Sequence, residues 1–180
     1  MKKLILLLTF TVILSLQVHA SIDIESLIDS DDTSYQQREN IRSKLDSGIN
    51  INRKHSRENV SLLACVYEKY KDSEAEDKDF YENIVMDFLE RGALVHENGK
   101  EYTSAIFKAV YYKDTKFVSI FLSFLPTVSP LDTAETLKDS IGDNLMHRLL
   151  RPPLVASSKE VLEVAQLIST YQPFAISEKN

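Results

Sequence analysis

Two short phrases alternate along this 180-residue chain, and their alternation constrains the fold more than any other feature. The first is a pair of apolar residues, two polar ones, a glycine, a small or apolar residue and a polar tail. Phe88-Leu89-Glu90-Arg91-Gly92-Ala93-Leu94-Val95-His96 is the clearest copy, and Ser43 to Asn52, with Gly48 at its turn, is the second. A glycine so placed ends a helix, because the chain must turn there with a positive φ that a Cβ disfavours. Upstream of Gly92, Ile84, Val85, Phe88 and Leu89 recur at helical spacing on one face. The second phrase is a hydroxyl or amide residue followed by an apolar run: Ser61 before Leu62 to Val66, Ser104 before Ala105 to Ala109, Asn144 before Leu145 to Leu149. The leading side chain can accept a backbone N–H bond and so open a helix. Alternating the phrases predicts helix, turn, helix and extended finger, repeated along an all-α chain.

In these phrases the chain resembles the ankyrin-repeat family. Asn144 to Leu149 is similar to the family's Thr-Pro-Leu-His-x-Ala phrase, with His147 at the histidine position. Gly92-Ala93 is similar to its Gly-Ala-Asp-x-Asn close, with Leu94 in place of the Asp, and Gly48 to Asn52 matches that close better. The resemblance covers most of residues 41–171. No copy holds the family's proline and one holds its histidine. Gly48 and Gly92 lie 44 residues apart and Ser104 and Asn144 lie 40 apart, against a family period of about 33. The resemblance implies an ankyrin-repeat-like solenoid of three to four degenerate helix-turn-helix repeats with short hairpin fingers. It also implies that the His147 imidazole ties helix to loop.

The extra length falls in three places. Lys69 to Asp79 reads as a charged insertion between the two helices of one repeat. Pro126 to Lys138 lengthens the passage into the last repeat, and Pro152 to Ser158 separates its two helices, since proline stops a helix. Residues 21–40, with Ile22, Ile24, Leu27 and Ile28 as a short apolar pattern, read as an N-terminal cap that shields the stack from water. Residues 173–180 read as a flexible tail.

Residues 1–20 read as a secretory signal peptide. Lys2 and Lys3 give the positive start, Leu4 to Leu16 the apolar stretch, and Val18-His19-Ala20 the small residues of a cleavage site. The apolar run is shorter than the roughly 20 residues a membrane span needs. The alternative to cleavage after Ala20 is an uncleaved anchor. The domain would then be residues 21–180, placed in a periplasm or, alternatively, secreted. The chain has 21 basic and 27 acidic side chains, and removing Lys2 and Lys3 takes the net charge from -6 to about -8. That balance argues against nucleic acid or an anionic membrane as partner. The single cysteine, Cys65, cannot form an internal disulfide, and reads either as a buried small apolar residue or as an exposed thiol.

No catalytic pattern emerges. His55 and His96 fall in the predicted fingers and are expected to be exposed. No histidine sits in a metal spacing, and one cysteine makes no zinc motif. Asp29, Asp31 and Thr33 begin like a calcium loop, but Ser34 and Asn40 stand where that loop needs Gly and Glu. The nucleophile elbow, the phosphate-binding loop and the dinucleotide fingerprint are missing from the sequence. The reading is therefore a non-enzyme without metal or cofactor, monomeric on its own, that binds another protein. The acidic run of Asp72, Glu74, Glu76, Asp77 and Asp79 reads either as a solvated loop or as a contact for basic side chains.

In ankyrin proteins the concave face of first helices and fingers binds partners. Carried onto this sequence, the resemblance makes Glu68, Lys69, Lys108, Tyr111, Tyr112, Arg148 and Arg151 the helix contacts, with Cys65 beside them. Arg53, His55, His96 and Tyr102 are the finger contacts. Tyr111-Tyr112 beside Lys108 is the centre of this surface, Tyr and Arg being the types that dominate interfaces. The alternative is that one tyrosine packs between helices and the other covers it. Exported bacterial proteins that this chain resembles include inhibitor or immunity proteins that block a cell-wall hydrolase, such as a peptidoglycan peptidase, or an interbacterial toxin. The alternatives are a secreted effector of a host protein and a scaffold for a periplasmic enzyme.

Overall fold

The computed structural model describes residues 23–56, 58–96, 103–125, 137–138, 142–151 and 157–171. The predicted signal peptide, the residues after 171 and Tyr102 lie outside them, as does most of Pro126 to Lys138 and Pro152 to Ser158.

The helix ends follow the capping chemistry. Gly48 and Gly92 have φ of 79° and 83°, as the helix-ending phrase requires. Ser61 accepts the Ala64 N–H at 3.1 Å and Asn144 accepts the His147 N–H at 2.8 Å, each closing a first turn. Ser34 and Asp114 do the same for the Gln37 and Phe117 N–H groups. The described residues form eight helices: α1 (Ile24–Asp29), α2 (Tyr35–Asp46), α3 (Leu62–Asp72), α4 (Lys78–Glu90), α5 (Ala105–Tyr111), α6 (Thr115–Ser123), α7 (Leu145–Leu149) and α8 (Ser158–Tyr171). Among the described residues there is no strand, only isolated bridges between Lys54 and Ser61 and between Val60 and Thr103. The protein is all-helical.

Consecutive helices pack in pairs: α1 on α2, α3 on α4, α5 on α6 and α7 on α8. The first members also touch in a row, α1 to α3 to α5 to α7, and α2 touches α4 while α6 touches α8. Helix α3 is buried from Leu62 through Tyr67, a full circuit of its surface, and α5 is buried at Ala105, Ile106, Phe107, Ala109 and Val110. An apolar run of that kind on a helix requires neighbours on all sides. The loops between pairs are tied by backbone. The Ser61 N–H donates to the Thr103 carbonyl at 3.1 Å and the Thr103 N–H to the Asn59 carbonyl at 3.0 Å. The Leu94 N–H donates to Asn52 Oδ1 at 2.7 Å, joining the two loops that follow α2 and α4.

Two boundaries differ from the sequence reading. The stretch from Lys69 to Asp79 is mostly helical: α3 runs on to Asp72 and α4 starts at Lys78, leaving residues 73–77 as the turn. The cause is Tyr70, whose ring lies 4.6 Å from that of Phe117 and holds the last turn of α3 on the core. Lys78 reaches back over the Tyr70 ring at 4.7 Å and donates to the Tyr70 carbonyl at 3.0 Å. Helix α2 also runs unbroken through residue 40, so residues 24–46 form a complete helical pair.

A Cβ added at Gly92 meets no atom within 4 Å. Gly92→Ala therefore costs only the left-handed backbone strain, about 1 kcal/mol. Chemical denaturation should read a loss of that size with the slope unchanged.

Candidate binding surface

Five of the residues singled out in the sequence come together along α3, α5 and α7. Lys108 of α5 donates to Glu68 of α3. Tyr111 and Tyr112 stand edge to face with ring centroids 5.4 Å apart. The Arg148 guanidinium of α7 lies over the Tyr111 ring at 4.9 Å. Lys71 lies over the Tyr112 ring at 5.8 Å. All five remain partly open to solvent. They form a strip of charged and aromatic surface across three successive first helices.

The two tyrosines divide the work. Tyr112 packs against the core and reaches the buried Tyr67 ring at 6.3 Å. Burial pushes its hydroxyl pKa up, with Glu68 and Asp72 adding to the effect. Tyr111 takes two cations: Lys113 lies 5.4 Å from its centroid and Arg148 lies 4.9 Å from it. Lys113 adopts a left-handed φ of 54° and is almost fully buried. Its ammonium donates to the carbonyls of Tyr111 at 2.8 Å and Arg151 at 3.0 Å, which fixes the turn after α5 against the end of α7. Burial and the neighbouring Arg148 lower its pKa. Arg151 is half exposed and pairs with Asp143 at 2.5 Å.

Lys69 and Arg53 belong to a different neighbourhood. Lys69 donates to the Asp29 carbonyl at 3.2 Å and to Asp31 at 3.1 Å. Arg53 pairs with Asp23 at 3.0 Å and Glu25 at 2.8 Å. Both hold α1 onto α3 and the loop before it.

The histidines reverse the expectation. His55 is 1 % exposed and His96 is 9 % exposed, so both rings are buried where exposure was expected. The Glu58 N–H donates to His55 Nδ1 at 3.2 Å, and His55 Nε2 lies 3.2 Å from Asp29 Oδ1 and 4.0 Å from Glu25 Oε2. His96 Nδ1 and Ser104 Oγ are 2.8 Å apart, and its ring lies 5.2 Å from that of Phe107. Ser104 thus spends its hydroxyl on His96, and it makes no side-chain cap on α5. His147, expected to tie helix to loop through its imidazole, has an exposed side chain; its contribution is the backbone N–H that Asn144 accepts. The tie falls to His55 and His96, because the loop of His55 turns inward onto carboxylates of α1 and that of His96 onto Ser104 and Phe107.

Cys65 is buried, which settles its two readings. Burial pushes its thiol up to about 12, and the charges of Asp29, Glu68 and Glu58 act in the same direction. Among the described residues, Asp29, His55 and Cys65 bring one oxygen, one nitrogen and one sulfur within 4.8 Å of one another. Sequence spacing gave no sign of this group, since its members come from α1, a loop and α3. No helix among the described residues is long and apolar enough to cross a membrane. No family model, curated protein or solved structure matches the chain.

Proposed function

We propose that the protein is a periplasmic protein-binding module built as an ankyrin-type stack, acting as an inhibitor or immunity protein. The observation that carries the reading is the strip of Glu68, Lys108, Tyr111, Tyr112 and Arg148 across three successive first helices. The row of touching first helices and the hydrogen-bonded loops beside it support the stacked arrangement. Rigid tyrosines next to an arginine supply contact area at low cost in conformational entropy, and such residues dominate binding energy. Occluding an active site needs only shape and a few such anchors over a typical interface of roughly 1,600 Å². The partner is a cell-wall hydrolase, such as a peptidoglycan peptidase, or an interbacterial toxin. No step of chemistry on the part of this chain is required.

The test is a pull-down from periplasmic extract of the native organism, with mass spectrometry as readout. The expected result is one enriched hydrolase or toxin whose activity falls when the protein is added. Tyr111→Ala and Arg148→Ala should each weaken that complex by about 2 kcal/mol, roughly thirtyfold in Kd. A protein found outside the cell with no periplasmic partner overturns the reading in favour of a secreted effector. Activation of the captured enzyme points to a scaffold instead.

A further inference from the structure

We propose that Asp29, His55 and Cys65 form a binding site for a thiophilic divalent cation, Zn2+ being the natural occupant. The three donors come from the end of α1, the loop before α3 and the first turn of α3, and they converge within 4.8 Å. A carboxylate oxygen, an imidazole nitrogen and a thiolate are the zinc donor set. Tetrahedral bonds of the usual lengths place donors about 3.4–3.6 Å apart. The Asp29 to His55 separation is already 3.2 Å, and the remaining adjustment is about 1 Å. Asp29 supplies the freedom, since its side chain is 30 % exposed while that of His55 is 1 % exposed. Sulfur and ring are therefore held by the core, and a partly exposed carboxylate closes on them.

The surroundings favour one ion over a loose acidic patch. Glu25 stands one turn before Asp29 on α1, and its Oε2 lies 4.0 Å from His55 Nε2. It is held there by the Ser56 N–H at 3.0 Å and by Arg53 at 2.8 Å. Glu25 is thus a positioned outer carboxylate, with water or its own oxygen able to complete the fourth position. Binding expels the thiol proton of Cys65, and the ring proton moves from Nε2 to Nδ1. The Glu58 N–H then loses its acceptor at Nδ1, and the loop around Glu58, which is exposed, has to shift. The ion would join α1, the loop and α3, and so lock the first helical pair to the second. This inference is independent of the proposed partner surface, which lies on α3, α5 and α7.

The experiment titrates the purified protein with Co2+ and Zn2+. The expected result is a near-ultraviolet thiolate-to-cobalt charge-transfer band with d–d bands of tetrahedral intensity, both removed by one equivalent of Zn2+. Zn2+ should raise Tm, and the Glu58 amide resonance should move. Cys65→Ala and Asp29→Asn should each weaken binding by about a hundredfold, at or above the upper end of what outer-carboxylate changes cost. Circular dichroism and Tm without metal verify that both variants fold. Absence of the thiolate band, or Zn2+ binding that survives Cys65→Ala unchanged, overturns the site and leaves Asp29 and His55 as a structural clamp.

Discussion

Phe117→Ala is expected to cost the fold about 3–5 kcal/mol, the range for a fully buried aromatic cut to alanine. Phe117 has no exposed surface. Its ring lies 5.1 Å from Tyr67, 4.6 Å from Tyr70 and 5.5 Å from Phe121, so it joins α3 to α6 across the centre of the molecule. The cluster is also anchored by polar contacts. Asp114 accepts the Tyr67 hydroxyl at 3.1 Å and the Phe117 N–H at 3.2 Å, and pairs with Lys71 at 3.3 Å. Burial raises the Tyr67 hydroxyl pKa, and Asp114 raises it further, so it donates to Asp114 as a neutral group. Removing the ring leaves a cavity bounded by residues that this network prevents from collapsing inward. A domain of ordinary stability holds about 5–15 kcal/mol, so the loss is a large share of the total. Urea denaturation should show it as a lower midpoint at unchanged slope, with Tm falling by roughly 10 °C. A loss under about 1 kcal/mol would mean that the cluster is loosely packed.

What could be read from the sequence was whatever a few neighbouring residues decide. Gly48 and Gly92 end helices because only the local backbone is at stake, and the capping side chains of Ser61 and Asn144 act within one turn. Tyr111 and Tyr112 could be singled out because they are adjacent, whereas the Arg148 guanidinium over the Tyr111 ring depends on packing between α5 and α7. The rest depended on partners distant in sequence. The carboxylates against the His55 ring, Glu25 and Asp29, come from some thirty residues earlier. Ser104 had the look of a helix cap, and His96 claims its hydroxyl. Lys69 to Asp72 looked like loop by charge, and the aromatic contact of Tyr70 keeps it helical. Cys65 could be either buried or exposed until α1 and the loop around His55 were seen to cover it.

Asp87 carries the second large expectation: Asp87→Ala should cost about 2–4 kcal/mol, as loss of charge-assisted hydrogen bonds at a buried group does. Its carboxylate is 2 % exposed on α4. One oxygen accepts from Arg38 Nε at 3.0 Å and the other from Arg42 Nε at 3.0 Å, both from α2. Arg91, the residue that caps the end of α4, stands 3.6 Å away and also donates to the Asp87 carbonyl at 3.1 Å. Arg91 in turn donates to Asp46 at 2.7 Å, at the last residue of α2. This network is the polar seam between α2 and α4. The effect should stay below the full penalty of a broken buried pair, because the arginines are 24–36 % exposed and water can reach them. For the same reason Arg38→Ala and Arg42→Ala should each cost only about 1 kcal/mol. Adding either one to Asp87→Ala should cost almost nothing more, since its partner is already gone. A double-mutant cycle by urea denaturation reads both numbers. Full additivity would show that the arginines stabilise α2 by another route than their bonds to Asp87.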